Sequence, residues 1–501
     1  MTDDAGIRAD ELLHGLGYAD WRPGQREAVV AALEGRDSLI VMPTGGGKSL
    51  CYQLPGLASA QLTIVVSPLI ALMRDQWEKL TAQGHEVAMV TSNMAAEDVA
   101  DALRRVRGGE ARIVYCAPER FASPVFLEAI GEREVDLLAV DEAHCVSEWG
   151  HDFRPDYLRL PEIAARLGRP TVMACTATAT KPVAAEIASR FGMREPLQVR
   201  SGFDRPNLSF DVIALEGKGC KARRQALLEA GLNDPANRPA IVYCGTRKET
   251  EEVAGELREA GIAAVAYHAG LEPEQRTAIQ TRFMATDTGV ICATNAFGMG
   301  VDKPDVRSVW HVTIPTSVEA YYQEAGRAGR DGKPSSAWMT YGLSDIVQQR
   351  RMIDESTAPE AFKRVSIGKL DALVALAETA DCRRARLLAY FGEELHQKNC
   401  GNCDNCLDPP KVFDGKVVAQ KLLSCVYRTG ERFGAAHLTD VLTGRPTDKV
   451  TQFGHDKLSV FGVGRDLNER QWRAALRQLV AMGHLRADSE AFGALKLTET
   501  S

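Results

Sequence analysis

No stretch of this chain approaches the ~18 consecutive apolar residues that a membrane-spanning helix requires. The opening segment, MTDDAGIRADELLH, is acidic where a secretory signal would carry an apolar core. Both absences lead to the expectation of a cytosolic protein. Thiols stay reduced there, so the 12 cysteines are not expected to pair as disulfides. A positive charge balance is missing as well: 60 Lys and Arg stand against 67 Asp and Glu, a formal net charge of −7. That removes the bulk signature of a nucleic-acid binder but not a local basic groove. The stretch 408–501 departs from the whole, with 14 Lys and Arg against 11 Asp and Glu, net +3. Low-complexity tracts are absent, and only one pattern recurs. What remains is a globular composition, 45% hydrophobic and 25% charged over 501 residues. That length suits about three or four domains.

Short apolar runs rich in Val, Ile and Leu punctuate residues 36–191: SLIVMP (38–43), LTIVVSP (62–68), ARIVYCAP (111–118), VDLLAV (135–140) and TVMAC (171–175). Near-continuous apolar strands are those buried on both faces. Helical stretches such as LIALMRDQWEKLTAQG lie between them, which is the βαβ pattern of a parallel sheet. The pattern recurs in RPAIVYCGT (238–246), GIAAVAYH (261–268), TGVICAT (288–294) and VRSVWHV (306–312). Two α/β lobes are therefore expected. FDRPNLSF (203–210), polar and proline-containing, reads as the crossing between them. Beyond residue 345 a helical region leads to clustered cysteines, DPPKVFDG (408–415) reads as a linker, and helices followed by a small hairpin suggest a winged helix.

MPTGGGKS (42–49) follows a buried strand and precedes a helix. Met42 occupies the position where the strict phosphate-loop pattern has glycine, but the remainder fits the chemistry. Thr44, Gly45, Gly46 and Gly47 let backbone N–H groups turn toward phosphate, and the helix N-terminus adds its dipole. Lys48 would reach the β- and γ-phosphates of ATP, and Ser49 would coordinate Mg²⁺. LLAVDEAH (137–144) ends another strand. Asp141 there would hold the metal and Glu142 would polarise the attacking water. In YYQEAGRAGRDG (321–332), Arg327 and Arg330 lie three apart on an expected helix, hence on one face. Arg330, with Arg327 beside it, could neutralise charge on the transferred phosphoryl group. If the second lobe supplies it, hydrolysis requires the lobes to close, and each ATP then drives one closing and reopening.

Cys382, Cys400, Cys403 and Cys406 form C-x17-C-x2-C-x2-C. Four thiolates at tetrahedral geometry suit Zn²⁺. The same spacing opens a ferredoxin iron–sulfur run, which calls for cysteine at the position of Pro410. A cluster completed by a remote cysteine remains an alternative.

In this order the segments resemble a superfamily-2 helicase, and more narrowly the RecQ family, over about residues 10–490. LGYADWRPGQ (16–25) resembles the family's adenine-binding element, with Trp21 where phenylalanine is usual. The resemblance implies that Tyr18 and Arg22 sandwich the base and that Gln25 bonds its edge. The stretch after the DEAH letters, through Trp149, His151, Phe153 and Arg154, resembles the aromatic-rich loop that couples single-stranded DNA to hydrolysis. Aromatic faces stack on bases without regard to sequence. VVSPLIALMRDQ (65–76), YCAPERF (115–121) and CTATAT (175–180) resemble motifs Ia, Ib and III. VYCGTRKETEEVAGEL (242–257) and CATNAFGMGVDKPDVR (292–307) resemble motifs IV and V, in which Asp302 would couple the lobes. Their polar groups would grip the phosphate backbone. QFGHDKLSVFGVGRDLNERQWRAALRQLVAMGHL (452–485) resembles the family's winged helix, with Arg470, Arg473 and Arg477 expected on an exposed face and Phe492 in the hairpin turn.

The resemblance implies two RecA-like lobes (1–205 and 206–345), a helical zinc-binding domain (346–407) and a winged-helix domain (408–501). It implies an ATP-dependent 3′-to-5′ DNA helicase using ATP, Mg²⁺ and structural Zn²⁺, serving recombination, repair and the SOS response. Expected partners are single-stranded and duplex DNA, with a single-stranded-DNA-binding protein as a further candidate and no membrane. A monomer associated with the bacterial nucleoid is expected. Two rival readings stand beside it. One is a DEAH-type RNA helicase, against which the aromatic loop and the four cysteines argue. The other is a non-catalytic zinc and winged-helix DNA-binding regulator, which should have lost Lys48, Asp141, Glu142 or Arg330.

Overall fold

The computed structural model describes residues 4–147, 150, 154–215, 219–295, 297, 303–412, 414–488 and 494–501. The chain divides into two compact units. The first is Met1–Asp204 with Gly298–Asp302 and Tyr390–Glu393. The second is Arg205–Phe297 with Lys303–Ala389 and Glu394–Ser501. No helix among the described residues is long and apolar enough to cross a membrane.

The first unit is built on seven parallel strands: β1 (Ser38–Val41), β2 (Leu62–Val66), β3 (Val87–Val90), β4 (Ile113–Cys116), β5 (Val135–Val140), β6 (Thr171–Thr176) and β7 (Leu197–Arg200). Their order is β3-β4-β2-β5-β6-β1-β7. Residues of β1, β2, β4 and β5 such as Ile40, Val65, Tyr115 and Ala139 have lost all or nearly all contact with solvent, as helices on both faces demand. The sequence pattern picks out the five inner strands. It misses β3 and β7, the strands at the two edges. All strands run the same way, so the loops after β1, β5 and β6 emerge at one end of the sheet.

The second unit carries six parallel strands: β8 (Leu208–Ala214), β9 (Ala240–Tyr243), β10 (Ala264–Tyr267), β11 (Val290–Ala293), β12 (Ser308–His311) and β13 (Ser335–Tyr341). Their order is β10-β11-β9-β12-β13-β8. The segment read as a crossing is therefore corrected in its second half: past Pro206 the chain becomes β8, paired along its length with β13. The indoles of Trp310 and Trp338, on neighbouring strands, stack at 4.9 Å and 6°. The helix Cys220–Asn233 packs its Gly231 against Trp310.

Helices Leu343–Asp354, Glu360–Glu378 and Arg383–Tyr390 follow β13 and lead to the cysteine loop. After residue 415, helices Lys416–Arg428, Ala435–Thr443 and Glu469–Ala481 and the antiparallel pair β14 (Leu485–Asp488) and β15 (Ala494–Leu497) enclose a core of Leu422, Leu438, Trp472, Leu476 and Leu495. Asn468 and Gln471 cap Glu469–Ala481 reciprocally, each side chain accepting the other's backbone N–H at 2.9 Å. One expectation fails on this helix. Arg470 is exposed, but Arg473 pairs with Glu469 at 2.9 Å, and Arg477 is buried against Glu378 at 2.5 Å. Arg477 is thus a structural cation, not an exposed phosphate contact.

A methyl group at Gly231 would lie 2.3 Å from the Trp310 ring, whose stacking on Trp338 leaves it little room to yield. Gly231→Ala should therefore destabilise the second unit by about 1–3 kcal/mol despite alanine's better helix propensity. Chemical denaturation followed by tryptophan fluorescence would measure it.

Candidate nucleotide site and metal centre

The loop after β1 turns tightly at two glycines in the left-handed region, Gly45 (φ 82°) and Gly47 (φ 84°), which favours residues without a Cβ. The helix Lys48–Ala58 begins at once, so its first N–H groups face the loop. Lys48 Nζ donates to the carbonyls of Met42 (3.0 Å) and Pro43 (3.3 Å), folded over the loop it would serve. Ser49 Oγ accepts from Gln76 Nε2 at 3.0 Å, and Gln76 in turn accepts from the buried Tyr52 hydroxyl.

The upstream element is joined to this loop directly. Gln25 is buried. Its Oε1 accepts from Arg22 N at 2.8 Å and its Nε2 donates to Gly47 O at 3.0 Å. The Arg22 guanidinium donates to Gly45 O, while Tyr18 stands half-exposed. Trp21 donates to Asp10 at 2.7 Å and packs on the N-terminal helix.

Asp141 and Glu142 follow β5. Asp141 N donates to Val66 O at 2.8 Å, its Oδ1 accepts from Glu142 N at 3.0 Å, and Tyr157 clamps its carbonyl at 3.0 Å. Burial pushes the Asp141 carboxyl up to about 7, the Glu142 charge adds to the rise, and Lys48 pulls against it. Glu142 holds φ 48°, strained for a residue with a side chain. That turn points Glu142 Oε2 to within 3.3 Å of His144 Nδ1, which bonds Thr176 Oγ1 at the end of β6 at 2.9 Å. Three strand ends are thereby tied together. Sequence reasoning named Asp141 and Glu142 but passed over His144, Thr176, Tyr157 and Gln76. His144, Thr176 and Gln76 stand within quoted motifs, and a buried polar side chain on an inward helix face is the further signal for Gln76.

Arg154, the one aromatic-loop position among the described residues, donates its backbone N–H to Cys145 O at 3.1 Å. Trp149, His151, Phe153, Asp302 and the hairpin turn with Phe492 lie outside the described residues.

In the second unit the helix Val318–Ala325 ends before Arg327 and Arg330. The two arginines occupy turns, not one helix face as expected, because Arg205 binds the carbonyls that a continuing helix would use. It donates to Gly326, Ala328 and Gly329 at 3.2, 2.9 and 2.9 Å. Gly329 sits at φ 59° with Asn207 filling the space where a Cβ would stand. Arg327 is buried near Tyr243, whose hydroxyl burial pushes up to about 12 against the pull of Arg327.

The four cysteine sulfurs lie within 4.8 Å of one another, the one such metal-binding group among the described residues. Cys400 and Cys406 are 3.8 Å apart, the spacing expected for two thiolates about 2.3 Å from one tetrahedral zinc. A multi-iron cluster would hold its thiolates farther apart, so the donor set fits a single Zn²⁺. Burial raises the Cys406 thiol, but hydrogen bonds from Gly401 N–H and from neighbouring thiols outweigh it and bring it down to about 7, ready to ligate. The loop also closes the edge of β8. Asp404 Oδ2 accepts from Val212 N at 3.0 Å, Cys403 bridges Phe210, and Arg384 donates to Leu208 O at 2.6 Å.

Two RecA-like parallel-sheet lobes, one bearing a phosphate loop and a DEAH turn, define the helicase class. Family models agree along the chain: a DEAD/DEAH box helicase domain matches residues 22–187, a helicase conserved C-terminal domain 222–332, a RecQ zinc-binding domain 343–407 and an RQC domain 409–501. The ATP-dependent DNA helicase RecQ of Pasteurella multocida is 40% identical over 494 residues, covering 98% of this chain and 77% of that protein. That of Bacillus subtilis is 39% identical over 459 residues, 91% of this chain and 76% of that one. Among solved structures, Mycobacterium smegmatis Lhr bound to single-stranded DNA and AMP-PNP shares the fold at TM-score 0.55 and 19% identity, over 98% of this chain and 60% of that one. The DEAD-box helicase Mss116 bound to single-stranded RNA does so at 0.56 and 17%, over 74% and 82%. The chain belongs to the RecQ family of ATP-dependent DNA helicases.

Two outcomes follow from this geometry. Gly47→Ala puts a Cβ 2.2 Å from Gln25 Nε2 in a left-handed position. It should weaken binding of a fluorescent ATP analogue at least about tenfold. Cys403→Ser should drop zinc from about one per chain to near zero by mass spectrometry, lower the melting temperature of the second unit and promote aggregation through the uncovered β8.

Proposed function

We propose that this helicase moves 3′-to-5′ along single-stranded DNA, opening duplexes during recombination and repair, with an SOS-induced role among its uses. The observation that carries the ATP chemistry is the buried Asp141, with the partly buried Glu142 next to it, close enough to Lys48 to feel its charge. Lys48 binds the β- and γ-phosphates, and Glu142 accepts the proton of the attacking water. Arg327 and Arg330 supply positive charge for the transferred phosphoryl group.

A raised carboxyl at Asp141 means that its ionised form needs a cation, and a hydroxyl with carboxylates is the donor chemistry Mg²⁺ takes. Ser49 and Asp141 would hold that ion, which neutralises phosphate charge when bound. Tyr18 and Arg22 stack on adenine. Gln25, whose amide contacts the phosphate loop through Gly47, reads its edge. Trp149, His151, Phe153 and Arg154 engage single-stranded DNA, and Asp302 couples the lobes. The enzyme works as a monomer at the bacterial nucleoid, with a single-stranded-DNA-binding protein as partner.

Strand displacement on DNA and RNA duplexes with 3′ or 5′ tails tests this reading. Opening of 3′-tailed DNA only is expected, and Lys48→Ala should lower DNA-stimulated ATP hydrolysis by about a hundredfold or more. Opening of 5′-tailed DNA alone would overturn the polarity, and opening of RNA alone the substrate.

A further inference from the structure

The DEAH turn is held from outside by a residue that the motifs do not include. The turn Ala143–Val146 closes at Ser147, which is completely buried. The Ser147 hydroxyl donates to Glu186 Oε2 on the helix Lys181–Arg190. Glu186 is itself mostly buried, and Arg190, one helical turn on, steadies it through a 2.7 Å ion pair. The chain that leaves at Ser147 returns to the same turn, where Arg154 N–H meets Cys145 O. It is tied again at Tyr157, whose hydroxyl binds Asp141 O at 3.0 Å. Gly150 N–H donates to Ser147 O at 2.9 Å, and a Cβ at Gly150 would stand 2.2 Å from His144 O. Ser147 and Arg154 are thus both fastened to the turn that carries Glu142 and His144. The Ser147–Glu186 bond ties that assembly to a helix that contributes no group to the chemistry.

We propose that Glu186 is a positioning residue for ATP hydrolysis. It fixes Ser147, and through the turn it sets the relation of Glu142 to His144 and Thr176. Without it the turn would still form, because its backbone bonds are local, but Glu142 would sample orientations away from the water it polarises. Misplacement of that kind lowers the chemical step and leaves substrate binding alone. The inference rests on the assignment of Glu142 as the water-polarising carboxylate.

The test uses the full chain, saturating single-stranded DNA and steady-state ATP hydrolysis. Glu186→Ala should lower kcat about tenfold while KM for ATP stays within about twofold and the melting temperature, lowered by loss of a buried acceptor, stays well above the assay temperature. Glu186→Gln keeps an oxygen to accept from Ser147 and should recover most of the rate. Glu186→Ala combined with Ser147→Ala should be no slower than the slower single variant. An unchanged kcat in Glu186→Ala, a joint shift of kcat and KM, or no recovery in Glu186→Gln would each overturn the proposal. Glu142→Gln, assayed alongside, separates the two claims. If it hydrolyses at the native rate, the role of Glu142 is what fails. If it is inactive while Glu186→Ala is native-like, only Glu186 loses its role.

Discussion

A carboxylate buried beside another carboxylate is unstable as an anion unless positive charge shares its surroundings, and the first sheet is arranged around that constraint. Asp141 ends β5 almost out of reach of water, with Glu142 next to it in a strained backbone conformation. Lys48 partly offsets the cost. The Glu142 N–H and the Ser67 hydroxyl add to that compensation by hydrogen-bonding the carboxylate. The surrounding bonds from Ser67, Tyr157, His144 and Thr176 hold the pair in a conformation it would otherwise leave.

The second unit meets a related problem differently. Glu378, at the end of the helix Glu360–Glu378, is buried and satisfied within the protein. It accepts from the Tyr341 hydroxyl at the end of β13, from Arg477 at 2.5 Å and from Gln478 Nε2 at 3.0 Å. One anion thereby joins the sheet, the helical zinc-binding segment and the winged helix. Removing one partner from such a cluster strands the others in a poorly solvating interior, which makes the junction sensitive to single changes.

Much of this was legible in the sequence where burial leaves a compositional mark. Inner strands such as VDLLAV and TVMAC read correctly because both faces are covered. The edge strands β3, β7 and β8 and the inner strand β13 do not, while the edge strand β10 does, so edge position alone does not decide; in β7, β8 and β13 polar residues interrupt the apolar run. The phosphate loop, the DEAH pair and the four cysteines were visible because their chemistry requires particular residues at fixed spacing. Arg327 and Arg330 were assigned to a helix because spacing alone does not reveal that Arg205, more than a hundred residues away, takes the carbonyls that would extend it. Arg477 looked solvent-facing for the same reason: its partner Glu378 is distant in sequence. Local pattern reports local structure, and long-range polar pairing escapes it.

The cover over β8 has a consequence for how the protein is made. β8 is the first strand of its sheet to leave the ribosome, yet Asp404, which takes up its Val212 N–H, lies 192 residues further on. Throughout that interval the strand's outer rim is a bare template for any other nascent chain. The cysteine loop that covers the rim can fold only once Cys406 has been made, so the exposure lasts at least as long as synthesis of the intervening chain.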